Sequence, residues 1–180
     1  VVSTDSSAIS ERALSASVEV HNRPAHLSTD TSRVVDAVVH ASEELYLTGN
    51  DIICVLQPTS PLRRTSQVTD AVRKTIETGR PVISIVECEH HPLKTFSLLN
   101  GKIQAMSSGS DLEKSRQDLP KMYRPNGAIY VASVAAIVNS MSLIPPDALT
   151  IEMSARDSID IDSALDLQVS EYLIRHLPRH

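Results

Sequence analysis

Near the end of the chain, Asp157-Ser158-Ile159-Asp160-Ile161-Asp162 places carboxylates at alternating positions. Alternate residues of an extended segment share a face, so Asp160 and Asp162 point one way while Ile159 and Ile161 point the other. Two carboxylates spaced in this way can share a hard cation such as Mg²⁺, which takes one or two carboxylates together with phosphate oxygens. The pattern equally fits the solvated face of an edge strand leading into a helix N-terminus, where acids complement the macrodipole and Asp166 has its natural place. Spacing alone leaves both readings open.

Four cations and one amide fall in polar loops. Arg23, Gln57, Arg63, Arg64 and Lys94 follow short apolar runs. Ligands of wound α/β sheets sit beyond the carboxyl ends of the strands. The loops at 23–30, 57–64 and after Val86 are therefore expected at one edge, with these residues as contacts for an anionic ligand. Any single Arg among them is also an ordinary solvated charge. Arg116, Lys121, Tyr123 and Arg124 lie in a long polar stretch, where they could close over an acidic substrate or only solvate the loop. His90 and His91 are adjacent and point apart in extended backbone, which predicts exposed imidazoles rather than a shared metal. The chain has no G-x-G-x-x-G, no G-x-x-x-x-G-K-[ST] and no G-x-S-x-G. That disfavours a dinucleotide-binding fold, a P-loop NTPase and an α/β-hydrolase.

The elements that must position these residues alternate between strand and helix. Val1–Ser3 reads as a strand end, and Asp5 or Ser6 can cap a helix over about 8–17. Val18–His21 alternates as a short strand, and a helix follows from Thr31 with an apolar stripe through Val34, Val35, Val38, Val39 and Leu45. Asp51–Leu56 reads as a strand buried on both faces of a parallel sheet. A helix over Gln67–Thr78 and a buried strand over Pro81–Val86 follow. Asn100-Gly101 marks a hairpin between 96–99 and 102–106. The stretch 107–124 is polar and irregular. A strand at 127–132, a helix at 134–140, a strand at 148–153 and a last helix over about 163–177 complete a wound α/β pattern, with the hairpin as a lid or partner-contact arm.

Composition narrows the classes further. Lys+Arg total 17 against Asp+Glu 22, a net charge of −5, and basic blocks are absent; general nucleic-acid binding is disfavoured. One Phe, four Tyr and no Trp supply little for stacking on bases. The apolar fraction of 41% and charged fraction of 22% are globular, and 180 residues suffice for one domain with a core. No apolar run approaches the ~20 residues of a membrane span, and no signal peptide is evident, which predicts a cytoplasmic protein. Cys54 and Cys88 lie in apolar runs and read as buried thiols rather than a disulfide.

Several motifs, in order, resemble the acylneuraminate cytidylyltransferases, the CMP-sialic acid synthetases of bacterial type. Leu56-Gln57-Pro58-Thr59-Ser60-Pro61-Leu62-Arg63 resembles their QPTSPLR loop, and Val2-Ser3-Thr4-Asp5 their VSTD strand end. Arg23-Pro24-Ala25 with Asp30-Thr31, His90-His91-Pro92-Leu93-Lys94-Thr95, and Arg116-Gln117 with Leu119-Pro120 resemble three further segments. Arg124-Pro125-Asn126-Gly127-Ala128-Ile129-Tyr130 resembles RPNGAIY, and Ser158-Ile159-Asp160-Ile161-Asp162 with Leu165-Asp166 resembles SIDIDxxLD.

The resemblance implies a Rossmann-like nucleotidyltransferase sheet with a dimerisation insertion at about 87–125. It implies transfer of CMP from CTP to the anomeric hydroxyl of N-acetylneuraminate or a related nonulosonic acid, with release of pyrophosphate, a requirement for Mg²⁺, and a homodimer. By position, Arg23 holds the cytosine. Gln57, Lys94, Arg116, Arg124 and Tyr130 surround the sugar acid. Asp160 and Asp162 are the catalytic metal ligands. The chain has no counterpart of the family's opening strand and phosphate loop, so a cytidylyltransferase domain over 1–180, truncated at its N-terminus, is expected. Leu143-Ile144 stands where bacterial members can place a pair of Phe. The alternatives are an inactive fragment that binds sugar acid or dimerises, and a cytidylyltransferase for legionaminate, pseudaminate or 3-deoxy-manno-octulosonate.

Overall fold

The computed structural model describes residues 1–106 and 109–176. The chain folds into strand β1 (Val2–Thr4), helix α1 (Ser7–Ser15), β2 (Val20–Asn22), α2 (Val34–Glu44), β3 (Ile52–Val55), α3 (Thr65–Thr78), β4 (Val82–Glu87), the hairpin β5 (Phe96–Leu99) and β6 (Lys102–Ala105), a short α4 (Gly109–Glu113), β7 (Tyr123–Ser133), α5 (Val134–Ser140), β8 (Leu149–Glu152) and α6 (Ala164–His176). The expected end of the last helix at Leu177 and the expected start of the polar stretch at Ser107 lie outside the described residues. None of the described helices is long and apolar enough to cross a membrane.

The strands form a two-stranded sheet β1-β2, a four-stranded sheet in the order β3-β7-β4-β8, and the separate hairpin β5-β6. Two compact units are interleaved along the chain. The first comprises Val1–Val55, Asp70–Ile83 and Tyr130–Leu149, and the second Leu56–Thr69, Ser84–Ile129 and Thr150–His180.

In the first unit, β1 and β2 run parallel, pairing Val2 with Val20 and Ser3 with His21. Helix α1 starts where Ser6 Oγ accepts from the Ile9 amide, one of the two caps the sequence offered. Strand β3 departs from expectation. It pairs antiparallel with β7, Ile52 opposite Ser133 and Val55 opposite Tyr130, and it is half-buried, with Ile52 exposed. Its apolar run reflects an edge position beneath α2 and α5, not burial on both faces. Buried Val35, Ala132 and Ile137 form the local core, with Val38, Val39, Ile53 and Leu143 packed against them.

The second unit is organised around polar groups. Asn126 is 2% exposed, and Ser60, Ser84 and Ser158 are as deeply buried. Ser84 Oγ donates to Asn126 Oδ1 at 2.5 Å and accepts from the Ile129 amide at 2.8 Å. Asn126 Nδ2 donates to Ser158 Oγ at 2.8 Å, and Asn126 Oδ1 accepts from the Ala128 amide at 3.2 Å. One side chain thus joins β4, β7 and the segment after β8. Strand β7 begins four residues earlier than the sequence implied, because Tyr123, Arg124 and Pro125 are exposed and carry no apolar alternation.

The hairpin turns as its sequence requires. Asn100 and Gly101 both take positive φ, 52° and 75°, the conformation that closes a two-residue turn between twisted strands.

Two stability outcomes follow. Ile137→Ala removes a side chain 2% exposed and is expected to cost about 3 kcal/mol, the range for buried Ile-to-Ala changes. Asn126→Ala removes the bonds to the buried Ser158 hydroxyl and the Ala128 amide, while Ser84 keeps Ile129 as its partner, and a loss of about 2–4 kcal/mol is expected from that desolvation. Urea denaturation followed by circular dichroism measures both; a change under about 0.5 kcal/mol for Asn126→Ala, the size of an ordinary surface substitution, would show the network to be dispensable.

Candidate active site

The loop between β3 and α3 has no regular structure, so its carbonyls need donors from elsewhere. Arg63 supplies them. Its Nη1 donates to Gln57 O at 2.8 Å, Ser60 O at 2.7 Å and Ala128 O at 3.2 Å, and its Nη2 to Gln57 O at 2.8 Å. Arg64 donates through Nε and Nη2 to Asp157 Oδ2 at 2.9 and 2.5 Å, and Gln67 Nε2 adds a third bond at 2.9 Å. Asp157 is buried, and removing one partner of such a buried pair would be costly. Sequence reading set Arg63 and Arg64 toward an anionic ligand; both are engaged by acceptors of the protein itself.

The loop so fixed is bonded to the segment that bears the paired carboxylates. The Ile161 amide donates to Thr59 O at 2.8 Å, and Ser60 Oγ donates to Asp160 Oδ1 at 3.4 Å. Asp160 is half-buried beside the loop, and Asp162 is exposed two residues on. The backbone at Ile159 is extended, φ −65° and ψ 127°, as alternation requires. Asp166 fills the helix-terminus role. Its Oδ2 accepts from the Ser163 amide at 2.8 Å, Ser163 Oγ at 2.7 Å and the Asp162 amide at 3.3 Å, and its own amide donates to Ser163 Oγ at 3.3 Å. This is a reciprocal cap at the start of α6. The Ser163 hydroxyl, with backbone amides behind it, holds the Asp166 carboxyl below its ordinary range.

Gln57 is half-buried against Gly127. Gly127 has φ +77°, and a Cβ there would sit 2.5 Å from Gln57 Oε1. Glycine is what lets the Gln57 amide approach β7 this closely.

Lys94 and Arg116 stand on two segments stitched together. His91 is buried: its Nδ1 accepts from the Leu93 amide at 3.2 Å and its Nε2 donates to Pro120 O at 2.8 Å. This corrects the expectation of an exposed imidazole; the ring is a pin between two loops. Arg116 Nη2 donates to Cys88 O at 2.9 Å, and the Cys88 amide to Met122 O at 2.8 Å. Lys94 is half-buried at the end of a 3-10 turn (Pro92–Lys94), while Arg116 is exposed at the start of another (Arg116–Asp118). Arg124 is exposed in the first residues of β7.

Arg23 and Tyr130 belong to the first unit. Arg23 follows β2, and its guanidinium donates to Ser3 O through Nη2 and to Ser3 Oγ through Nε at 3.3 Å. Tyr130 lies half-buried in β7 opposite Val55. Within the second unit, Gln57 and Asp160 therefore adjoin one loop, and Lys94 and Arg116 adjoin one another's segments. Sequence reading did not find the groups that hold them: Ser60, Ser84, Asn126 and Ser158. Ser84, a lone hydroxyl inside the apolar run Val82–Glu87, was the available signal.

Residues 1–150 match the family model described as cytidylyltransferase. The chain is 31% identical over 179 residues to the CMP-N,N'-diacetyllegionaminic acid synthase of Legionella pneumophila, covering 97% of this chain and 77% of that protein. It is 30% identical over 167 residues to the N-acylneuraminate cytidylyltransferase of Streptococcus agalactiae, covering 92% of this chain but only 40% of that longer protein. In fold it is similar to a solved CMP:2-keto-3-deoxy-manno-octonic acid synthetase, with a TM-score of 0.67 over 97% of this chain and 79% of that one at 14% identity. The α/β architecture expected from the order of elements is thus that of known nucleotidyltransferases, and with most of its length matched to the family model the chain belongs to the cytidylyltransferase family.

Proposed function

We propose that this protein transfers CMP from CTP to the anomeric hydroxyl of a nonulosonic acid of the N-acetylneuraminate and legionaminate class. The anomeric oxygen attacks the α-phosphorus, the bond to the β-phosphate breaks, pyrophosphate leaves, and the hydroxyl proton is lost to solvent or a basic oxygen nearby. The observation that carries this reading is the hydrogen-bonded contact of the loop at 57–64 with Asp160 and Ile161. It sets the Gln57 loop, a polar element suited to a sugar, beside a carboxylate pair suited to a phosphate-bound cation.

Asp160 and Asp162 are the proposed holders of Mg²⁺, and their donor set fits it. Both offer carboxylate oxygens from an extended segment at the protein surface, and hard cations of this size take oxygen ligands while keeping sites for phosphate and water. Such an ion, when bound, offsets charge on the triphosphate and lowers the pKa of a neighbouring hydroxyl. The protein's own groups do the rest. Lys94, Arg116 and Arg124 carry the positive charge that a sugar carboxylate needs, and Gln57 offers an amide to its hydroxyls. Arg23, oriented by Ser3, is assigned to the cytosine, and Tyr130 to the sugar acid, on the family resemblance. Bringing two anions together demands this distribution of charge, and the catalysis is mainly positioning.

We also infer a single cytidylyltransferase domain over 1–180, with the region 87–125 as its insertion, and a cytoplasmic homodimer. Phe96, Leu98, Leu99 and Ile103 on the β5-β6 hairpin are all more than half exposed, which supports a pairing role for that arm.

The assay is pyrophosphate release from CTP and Mg²⁺, with N-acetylneuraminate or N,N'-diacetyllegionaminate added or withheld. Sugar-dependent release is expected, and release that ignores both acids would refute the reading. Asp162→Asn should lower kcat by about 10²-fold, the scale on which lost charge stabilisation acts. Lys94→Ala should raise KM for the sugar acid about tenfold and leave that for CTP nearly unchanged; the reverse pattern would move the sugar elsewhere. Gly127→Ala should displace Gln57 and raise the same KM, because its Cβ and the Gln57 amide cannot occupy the space together.

A further inference from the structure

A cluster with no part in the transfer reaction lies in the first unit. His21 is on β2, and His40 and Glu44 are one helical turn apart on α2, so the latter two share a face. His21 Nε2 lies 3.0 Å from His40 Nδ1 and 3.6 Å from Glu44 Oε2, and His40 Nε2 lies 4.0 Å from Glu44 Oε1. All three residues can direct a ligand atom into a space less than 4.8 Å across. The His21 side chain is 2% exposed, His40 25% and Glu44 57%, so the cluster is closed at its base and open to solvent at its rim.

We propose that His21, His40 and Glu44 form a binding site for a Zn²⁺-type transition-metal ion, with the solvent side open to water or an exogenous ligand.

The donor set selects this class. Two imidazoles and one carboxylate suit zinc and its neighbours, while Mg²⁺ prefers oxygen throughout. At metal–nitrogen distances of about 2.0–2.1 Å, tetrahedral ligand atoms stand roughly 3.3 Å apart. The spacings of 3.0 and 3.6 Å at His21 Nε2 lie within a few tenths of an ångström of that.

The surroundings also suit a ligand. His21 Nδ1 is 2.9 Å from Ser3 Oγ, placed there by the parallel register of Ser3 with His21. A ligating imidazole usually donates its other N–H to a fixed acceptor, and Ser3 can serve as one. The hydroxyl can also donate to Nδ1, which would leave His21 Nε2–H bonded to His40 without a metal. Ser3 therefore accommodates both tautomers. Ser3 Oγ also accepts from Arg23 Nε at 3.3 Å. A metal at His21 would fix Ser3 as acceptor to both neighbours, and so fix the Arg23 guanidinium.

The test is equilibrium dialysis of the full chain against Zn²⁺ alone, in buffer with excess Mg²⁺, with retained metal measured by elemental analysis. One Zn²⁺ per chain is expected, with Kd of about 1 µM or below. His40→Ala and Glu44→Gln lie toward the exposed rim, so they should fold as the parent does by circular dichroism, and each should weaken binding at least about tenfold. Asp162→Asn should bind Zn²⁺ as the parent does. Failure of the parent to retain zinc, or undiminished retention by both rim variants, overturns the proposal. Because the readout is metal content, neither result depends on the transferase activity.

Discussion

The side chain of Asn126 is the constraint on which the second unit depends. A buried amide must spend its donors and acceptor, and here it spends them on three different stretches of chain: Ser84 on β4, Ser158 beyond β8, and the Ala128 amide of its own strand. An apolar residue at 126 could fill the volume but would deprive Ser158 and the Ala128 amide of their partner, which is the costlier defect in a low-dielectric interior. The residue that follows is bound to the same task. Gly127 takes a left-handed φ and lets Gln57 approach where a side chain would stand. Asn-Gly is therefore one device with two outputs: the first residue ties the frame together, and the second admits a polar side chain against it.

The cations of the loop at 57–64 illustrate how an irregular segment becomes a rigid one. Arg63 gathers two carbonyls of the loop, Gln57 O and Ser60 O, and ties them to Ala128 O of β7, and Arg64 neutralises a carboxylate that burial would otherwise penalise. Fixing the loop in this way consumes its positive charge. Lys94, Arg116 and Arg124, the cations proposed to face the sugar acid, lie on other segments, and Arg116 too gives a donor to a backbone carbonyl, Cys88 O. His91 holds the segment of Lys94 by joining its turn to Pro120.

Much of the fold was legible because its signals are local. Ser6 caps α1, Asn100-Gly101 closes the hairpin, and short apolar runs mark β3, β4 and β8. The pairing direction of β3 was not legible, since an apolar run records burial and carries no information on the sense of its neighbour. The early start of β7 was hidden by exposed residues that obey no alternation. The site divides along the same line. The carboxylates at 160 and 162 announce themselves by spacing, whereas Ser60, Ser84 and Ser158 are single hydroxyls whose meaning appears only when Asn126 lies among them. His40 and Glu44 sit at helical spacing that sequence could have flagged; His21 joins them only through the tertiary contact of β2 with α2.

Asp166 shows how a carboxylate within an acidic run can be taken up by the backbone. Its folded pKa is depressed, so its contribution to stability is present above the unfolded carboxylate range and fades as pH falls through the folded value. It accepts the Asp162 amide while capping α6, and so couples the direction of the segment bearing Asp162 to the start of a helix. Three acids at 160, 162 and 166 then have different tasks by virtue of what surrounds them. Asp160 leans on Ser60, Asp162 faces solvent, and Asp166 is consumed by the backbone. An acidic run that looks uniform in sequence is thereby resolved into a carboxylate taken up by the backbone, a half-buried one beside the loop at 57–64, and one exposed to solvent.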